Sequence, residues 1–301
     1  METKENQIKE KPRNGWHAFF LSLFFPALGQ VYNGRITKAI IVFCLLLLLP
    51  VIFGISRGAT FFYGLLVLLI LQFILRIYII IDSVVDAKRQ KNYVPKSYNT
   101  WYYHLLIAFG ITVVLWGYDI NSRLGIQTFK IPTPSNNPTL QTGDYLIADM
   151  WVYTHEEPDY GDIVVYSGVD KQIYTFRVAG RPHDTIALLD NIVSINGKAC
   201  KAKYIKDTLV DGFPVSEWEE EFPNKHTHRM YKFKQHYDRT KATMPAIIVP
   251  ADSYFLLGDN RDNALDSRYV GFVSKDCIQG RILYIYASTS FQRINTDIRD
   301  K

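Results

Sequence analysis

The sequence predicts a mixed membrane and all-β fold, in which amino-terminal transmembrane helices precede a mostly antiparallel β domain. Long apolar runs are confined to the first 120 of the 301 residues. After residue 120 the chain changes to short β-rich runs separated by Gly, Pro, Asn and Asp, a pattern typical of antiparallel sheets. The two parts of the chain are therefore expected in different environments.

Three apolar runs come near the roughly 20 residues that a helix needs to cross the hydrocarbon core of a bilayer. They cover residues 40–55, 61–81 and 101–118. A fourth apolar run, residues 16–31, is short and is interrupted by Pro26 and Gly29. For this run we expect one re-entrant or interfacial helix rather than a full span.

Basic residues mark one side of these runs. They lie in the amino-terminal tail and in the connector before the last run, at Lys4, Lys9, Lys11, Arg13, Lys88, Arg89, Lys91 and Lys96. Cytoplasmic segments beside membrane helices are enriched in Lys and Arg, so both segments are predicted to be cytoplasmic. The last run then exports everything that follows it. We expect no cleavable signal, because no single short apolar core with a small-residue cleavage site follows the basic start.

The predicted organisation has four parts. They are a cytoplasmic basic tail (1–15), a membrane helical module (16–97), a transmembrane anchor (98–120) and an exported β domain (121–301) with an insertion at 198–245. In the insertion an acidic run is followed by basic residues mixed with aromatic ones. We interpret the insertion as a cap on the β core with a solvated charged face.

The net charge of +5 lies largely beside the membrane runs, where Lys and Arg meet anionic lipid headgroups. The lipid bilayer is thus an expected partner, and nucleic acid is not. Cys200 and Cys277 fall in the exported part, where a disulfide and two separate buried thiols both remain open. His226, His228 and His236 have no neighbouring Cys to complete a familiar metal-binding pattern, so we expect no metal and no cofactor.

Strands of the β domain are predicted from runs rich in β-branched and aromatic residues. These runs are residues 145–148, 162–166, 172–179, 185–195, 246–249 and 254–257. Asn196 and Gly197 follow alternating Ile and Val, which predicts a hairpin with a tight turn.

Ser135 is the candidate nucleophile of the chain. Pro132, Pro134 and Pro138 surround it, and because proline fixes φ we expect a stiff, extended segment. Hydrolysis of an amide by a hydroxyl also needs a base and donors for the developing oxyanion. Taken alone, the segment is equally typical of an inert loop.

Five motifs in order along the chain resemble signal peptidase I, the type I leader peptidases of peptidase family S26. Residues 132–140 read Pro-Thr-Pro-Ser-Asn-Asn-Pro-Thr-Leu, and residues 143–144 read Gly-Asp. Residues 160–166 read Tyr-Gly-Asp-Ile-Val-Val-Tyr, and residues 174–184 read Tyr-Thr-Phe-Arg-Val-Ala-Gly-Arg-Pro-His-Asp. Residues 258–268 read Gly-Asp-Asn-Arg-Asp-Asn-Ala-Leu-Asp-Ser-Arg. Five matches across about 150 residues are too many for chance.

The resemblance implies roles for single residues. Ser135 matches the nucleophile, and Thr133 matches the residue whose hydroxyl contributes to the oxyanion hole. Phe176 stands where the family has its general-base lysine, and Ala264 stands where it has the serine that orients this lysine. A lysine kept neutral by burial accepts a proton, and phenylalanine does not. Asn136 replaces the family's methionine beside the nucleophile.

The resemblance also assigns a bracing role to the last motif, because turn formers and opposed charges in such a segment secure structure more often than they catalyse. Its retained members are Gly258, Asp259, Asn260, Arg261, Asp266, Ser267 and Arg268.

Two functional hypotheses follow from the resemblance. In the first, the chain is a serine endopeptidase that removes signal peptides from exported preproteins with an unidentified base. In the second, it is a non-catalytic homologue that binds signal peptides or regulates protein export, and the missing lysine and its missing support favour this alternative. Both place the chain in the bacterial cytoplasmic membrane as a multi-pass protein, with the β domain outside and other export components as further partners.

Overall fold

The structure is a computed structural model that describes residues 11–235 and 241–299. Most of the predicted basic tail and His236 lie outside these residues. The chain forms two compact units, one within residues 1–59 and 63–124 and the other within residues 60–62 and 125–301.

The first unit is helical. Its helices are α1 (Gly15–Phe24), α2 (Leu28–Tyr32), α3 (Ile36–Ile55), α4 (Phe62–Arg89), α5 (Trp101–Gly117) and α6 (Ile120–Leu124). Helices α3 and α4 are long and apolar enough to cross a membrane. Helix α5 is a shorter apolar helix of 17 residues, which corresponds to about 26 Å at 1.5 Å per residue. Two of the three predicted spans therefore have the full length, and the third is shorter.

The fourth apolar run forms two helices, so the prediction of one helix over residues 16–31 is wrong. Helix α1 ends before Pro26, which cannot continue a helix, and Ala27 takes a left-handed conformation with φ 70°. Gly29 then brings α2 close to α1, because a Cβ at this position would lie 2.1 Å from Ser22 Oγ and 2.7 Å from the Ala18 carbonyl oxygen. Close packing through small residues is typical of membrane helices.

The second unit consists of antiparallel sheets, which confirms the predicted β domain. Its strands are β1 (Ile126–Lys130), β2 (Tyr145–Asp149), β3 (Ile163–Ser167), β4 (Ile173–Gly180), β5 (Thr185–Leu189), β6 (Ile192–Ile195), β7 (Lys198–Ala199), β8 (Lys201–Val210), β9 (Phe213–Glu221), β10 (Thr227–Phe233), β11 (Met244–Ile248), β12 (Ser253–Leu257), β13 (Val273–Ser274), β14 (Ile278–Ala287) and β15 (Thr296–Asp297). The largest sheet has the order β1-β2-β14-β3-β4-β12-β13, with β15 paired to β14. A second sheet has the order β11-β5-β6-β7.

Most of the insertion forms a sheet of its own, in the order β10-β9-β8, whereas β7 and the first residues of β11 belong to the second sheet. The predicted strand over residues 185–195 is two strands, because Asp190 and Asn191 form a turn with φ 49° and 64°. The predicted hairpin at Asn196 and Gly197 is present, and it joins β6 to β7. A short helix, α7 (Ser267–Val270), follows the 3₁₀ turn Arg261–Asn263.

The two cysteines of the second unit are separate free thiols. Cys200 is buried in a hydrophobic cluster with Phe222 and Phe255, whereas Cys277 packs at the edge of another cluster that contains Phe176. Burial raises the pKa of the Cys200 thiol to about 12. Cys200 is therefore an inert core residue at neutral pH.

Candidate active site

Ser135 lies in a single 3₁₀ turn, Pro134–Asn136, between two extended residues. The expectation of a fully extended segment is thus wrong at these three residues, because Pro134 at the first position of the turn suits a helical φ. Thr133 Oγ1 and Ser135 Oγ are 3.3 Å apart, so the structure brings the two predicted hydroxyls together.

The segment that follows β12 is hydrogen-bonded to this turn. The Asn260 main-chain N–H donates to the Ser135 carbonyl oxygen at 3.0 Å, and Asn260 Nδ2 donates to the Pro134 carbonyl oxygen at 3.1 Å. Gly258 makes this approach possible, because a Cβ there would lie 2.6 Å from the Ser135 carbonyl oxygen. A larger residue at position 258 would displace the turn that carries the candidate nucleophile.

Phe176 and Ala264 both lie next to Gly258. Both are buried in one hydrophobic cluster, and the rings of Phe176 and Tyr166 have centroids 6.3 Å apart. A Cβ on Gly258 would lie 2.4 Å from Ala264 Cβ and 3.2 Å from Phe176 Cε1. The Ser135 backbone, Phe176 and Ala264 therefore surround Gly258, and the two side chains present only carbon atoms there.

Ser135 Oγ has no basic partner within the described part of the chain, where its hydrogen bond is to Thr133. Three other side chains that could act as a base, Lys130, Lys171 and His183, are exposed to solvent. The His183 main chain donates to the Val249 carbonyl oxygen, and His183 takes a left-handed conformation with φ 70°. None of the three lies among the hydrogen-bond partners of the candidate nucleophile.

Asn136 ties the Ser135 turn to the strand that carries Phe176. Its side chain is buried, and Asn136 Nδ2 donates to the Thr175 carbonyl oxygen at 2.6 Å and to Thr175 Oγ1 at 3.2 Å. The methionine that the family has at this position cannot make these bonds, since a thioether donates no hydrogen bond. The turn and β4 are thus held at a fixed separation.

A buried ion pair supports β4 beside Phe176. Arg177 Nε donates to Asp259 Oδ1 at 2.8 Å and Arg177 Nη2 donates to Asp259 Oδ2 at 2.7 Å, with both side chains 1% exposed. Arg177 Nη1 also donates to the Gly161 carbonyl oxygen at 2.6 Å. This bidentate geometry is the strong form of an Arg–carboxylate pair.

The end of the last motif is equally buried and paired. Asp266 Oδ2 accepts from the Gly258 main chain at 3.0 Å and from Arg268 Nη2 at 2.7 Å. Ser267 Oγ accepts from the Leu256 main chain at 2.9 Å. These bonds fix the backbone on both sides of Ala264.

Two residues of the insertion complete this network, and sequence reasoning missed both. Arg261 Nη2 donates to Glu220 Oε2 at 2.5 Å, and His228 Nε2 lies 3.3 Å from Arg261 Nη2. The His228 ring stacks on Phe222 with centroids 4.8 Å apart. Burial, together with the charges of Arg177 and Arg261, lowers the pKa of His228 well below its usual range. The described residues include no group of His, Cys, Asp and Glu that could hold a metal ion.

The neutral state of His228 makes stability depend on pH. Below about pH 6.5 the unfolded chain takes up a proton at this imidazole, whereas the folded chain does not until the pH is well below that value. We expect the free energy of unfolding to be highest above pH 6.5 and to fall as the pH drops, by up to about 1.4 kcal/mol per pH unit. Urea unfolding of the full chain between pH 4.5 and 7.5 measures this, and His228→Gln should flatten the slope. An unchanged slope in His228→Gln would contradict the assignment.

The fold and the site define a class of protein: helices long and apolar enough to cross a membrane precede an antiparallel β domain that presents a serine on a braced turn. Residues 98–287 match the family described as signal peptidase, peptidase S26. Because this match covers more than half of the 301 residues, the chain belongs to that family, as the sequence motifs predicted.

Individual relatives agree with this family. Signal peptidase I of Rickettsia conorii is 30% identical over 202 residues, which span 58% of this chain and 76% of the relative. Signal peptidase I of Rickettsia typhi is 26% identical over 242 residues, which span 71% of this chain and 88% of the relative. The crystal structure of a signal peptidase I from Enterococcus faecalis is 24% identical, with a TM-score of 0.26, and the match covers 42% of this chain and 97% of that one.

Proposed function

We propose that this protein is a membrane-anchored member of the signal peptidase family that binds signal peptides of preproteins without cleaving them at an appreciable rate. The observation that carries the proposal is the packing of Phe176 against Ala264 around Gly258, next to the Ser135 turn. By resemblance, these two positions belong to the catalytic lysine and to the serine that orients it.

The chemistry at this position supports the proposal. A serine hydroxyl attacks an amide only when a nearby base removes its proton, and general-base assistance contributes about 10²–10⁴ in rate. The hydroxyl of Thr133 and the main-chain amide of Ser135 remain as oxyanion donors. Without a base, these oxyanion donors support only slow residual hydrolysis.

The edge of β4 supports binding of an extended peptide. Strand β3 pairs with Ile173 to Arg177 along one side of β4. On the other side, β12 pairs with Arg177, Val178 and Gly180, no described strand pairs with residues 173–175, and the Thr175 carbonyl oxygen accepts from Asn136 Nδ2. The main chain of Ile173 and Tyr174 is left without a strand on this side, and such an edge binds peptides by adding a strand to the sheet, with shallow pockets that select small side chains at alternate positions.

The membrane location belongs to the same proposal. The full-length apolar helices α3 and α4 support an anchored protein. The basic residues before α5 support a cytoplasmic position for that connector. In this proposal the β domain lies on the outer side of the bacterial cytoplasmic membrane, where signal peptides emerge, and other export components are further partners.

One observation favours a second function, that of an active serine endopeptidase. Thr133 and Ser135 keep both hydroxyls within 3.3 Å, a geometry that a pure binding protein does not require. This function needs a base that reaches Ser135 only when a substrate is bound.

Binding and cleavage are separated by one experiment on the full chain in detergent micelles. A fluorescent signal peptide is titrated, with anisotropy as the measure of binding and mass spectrometry as the measure of cleavage. We expect the peptide to bind and stay intact with both the natural chain and Ser135→Ala. A control peptide with bulky residues at the two alternate small positions should bind about tenfold more weakly, equivalent to about 1.4 kcal/mol. Cleavage that Ser135→Ala abolishes, or the absence of binding, would overturn the proposal.

A further inference from the structure

Arg13, in the helical unit, is fixed in position but lacks acceptors for its charge. Its Cζ atom lies 4.3 Å from the centroid of the Tyr32 ring and 3.8 Å from that of the Tyr93 ring. The Arg13 main chain donates to the Gln90 carbonyl oxygen at 3.0 Å, and Asn14 donates to the Tyr32 hydroxyl at 3.1 Å. Two aromatic faces and the backbone thus hold the guanidinium in place.

The guanidinium nitrogens Nε and Nη2 of Arg13 are buried and have no hydrogen-bond partner. A guanidinium carries five donors and accepts nothing, so only an acceptor can satisfy these two nitrogens. Burying charged donors without a partner is costly. The described part of the chain thus holds a cation for which it supplies no anion.

Two more unpartnered polar atoms lie at the start of α5. His104 Nε2 and Thr100 Oγ1 are buried and without a hydrogen-bond partner. The His104 ring lies 6.0 Å from the Tyr32 ring that Arg13 covers, and the His17 ring lies 6.2 Å from Tyr32 on another side. Unsatisfied polar groups from two separate parts of the sequence therefore gather around one tyrosine.

An apolar cavity of about 480 Å³ adjoins this cluster. It lies between the imidazoles of His17 and His104 and the side chains of Phe20, Trp101 and Leu105. Phe20, Trp101 and Leu105 are exposed, with Trp101 at the first residue of α5. Tryptophan at the end of an apolar helix is typical of the interface between lipid headgroups and acyl chains.

We propose that this pocket binds one anionic phospholipid. The phosphate receives hydrogen bonds from Arg13 and, when His104 Nε2 carries the ring proton, from that nitrogen, and an acyl chain covers Phe20 and Leu105. Three features select this ligand over a soluble anion: the unpartnered cation, the apolar cavity lined by the same Tyr32 ring that Arg13 covers, and the neighbouring helices long and apolar enough to cross a membrane. The site lies in the helical unit and does not depend on whether Ser135 cleaves peptides.

The test uses the purified full chain, stripped of lipid in a non-ionic detergent. Phosphatidylglycerol, phosphatidylcholine and inorganic phosphate are titrated separately, with native mass spectrometry counting bound lipid and thermal unfolding reporting affinity. The variants are Arg13→Gln and, as a matched control, Arg89→Gln, which removes the same charge from an exposed residue of the neighbouring basic connector. His104→Phe removes one further donor and keeps an aromatic ring, and it serves as the second variant if Arg13→Gln does not fold.

We expect one phosphatidylglycerol per chain, bound about tenfold more tightly than phosphatidylcholine. Arg13→Gln and His104→Phe should each lose most of that preference, and Arg89→Gln should keep it. The proposal is overturned if Arg89→Gln loses as much as Arg13→Gln, because the attraction would then be diffuse. It is also overturned if inorganic phosphate stabilises the chain as well as phosphatidylglycerol does, or if neither Arg13→Gln nor His104→Phe changes lipid binding.

Discussion

The double variant Phe176→Lys with Ala264→Ser should cleave a preprotein at least about a hundredfold faster than the natural chain. General-base assistance contributes about 10²–10⁴ in rate, and this variant supplies both the base and its orienting hydroxyl. The two positions already meet beside the Ser135 turn, around Gly258. The apolar cluster in which they lie would desolvate the new ammonium and lower its pKa, as a base requires.

Cleavage is measured with a preprotein in detergent by following the shortened product. Adding Ser135→Ala to the double variant should abolish the gain. Phe176→Met with Ala264→Ser is the matched control, because methionine fills a similar space without an amine. If the double variant keeps its fold and cleaves no faster than this control, the loss of activity does not lie at Phe176 and Ala264.

The second large effect is expected at Arg177. Arg177→Gln leaves Asp259 buried at 1% exposure without its bidentate partner. Breaking a buried ion pair by removing one partner costs about 3–5 kcal/mol, because the remaining charge is uncompensated. We therefore expect the β domain to lose that much of its free energy of unfolding.

Arg181→Gln is the control for this prediction. Arg181 pairs with Asp159 at 3.0 Å, but the two side chains are 46% and 47% exposed. An exposed pair of this kind contributes about 0–1 kcal/mol. Denaturant unfolding of the full chain in detergent, combined with hydrogen exchange of β4 amides, compares the two variants. Equal losses of unfolding free energy in Arg177→Gln and Arg181→Gln would contradict the prediction, because the buried pair would then contribute no more than the exposed pair.

The sequence was informative where local pattern decides structure. The hairpin at Asn196 and Gly197 follows from two residues that tolerate positive φ, and these have φ 53° and 77°. Strands are not evident from the sequence of the insertion, because buried positions of β9 and β10 hold Glu217, Glu220 and His228 instead of apolar residues. Glu217 pairs with Arg229 of the neighbouring strand, and Glu220 pairs with Arg261, which lies far along the chain.

The candidate site likewise has residues that the sequence predicts and contacts that it does not. The motifs identify Ser135, Thr133, Phe176 and Ala264. In the structure Phe176, Ala264 and the Ser135 main chain lie around Gly258, and Thr133 lies beside Ser135. The tether from Asn136 to Thr175 could not be predicted, since it joins positions 39 residues apart. Hydrophobic periodicity and turn chemistry describe neighbours along the chain, not such cross-links.

The contact between the insertion and Arg261 sets a limit on how this domain changes during evolution. Glu220 and His228, from β9 and β10, surround a guanidinium that belongs to the segment holding the Ser135 turn. A homologue that kept the insertion but replaced Glu220 by an apolar residue would bury Arg261 without its carboxylate partner, at a cost of about 3–5 kcal/mol. We therefore expect an exchange of the insertion between homologues to require a matching change in residues 258–268.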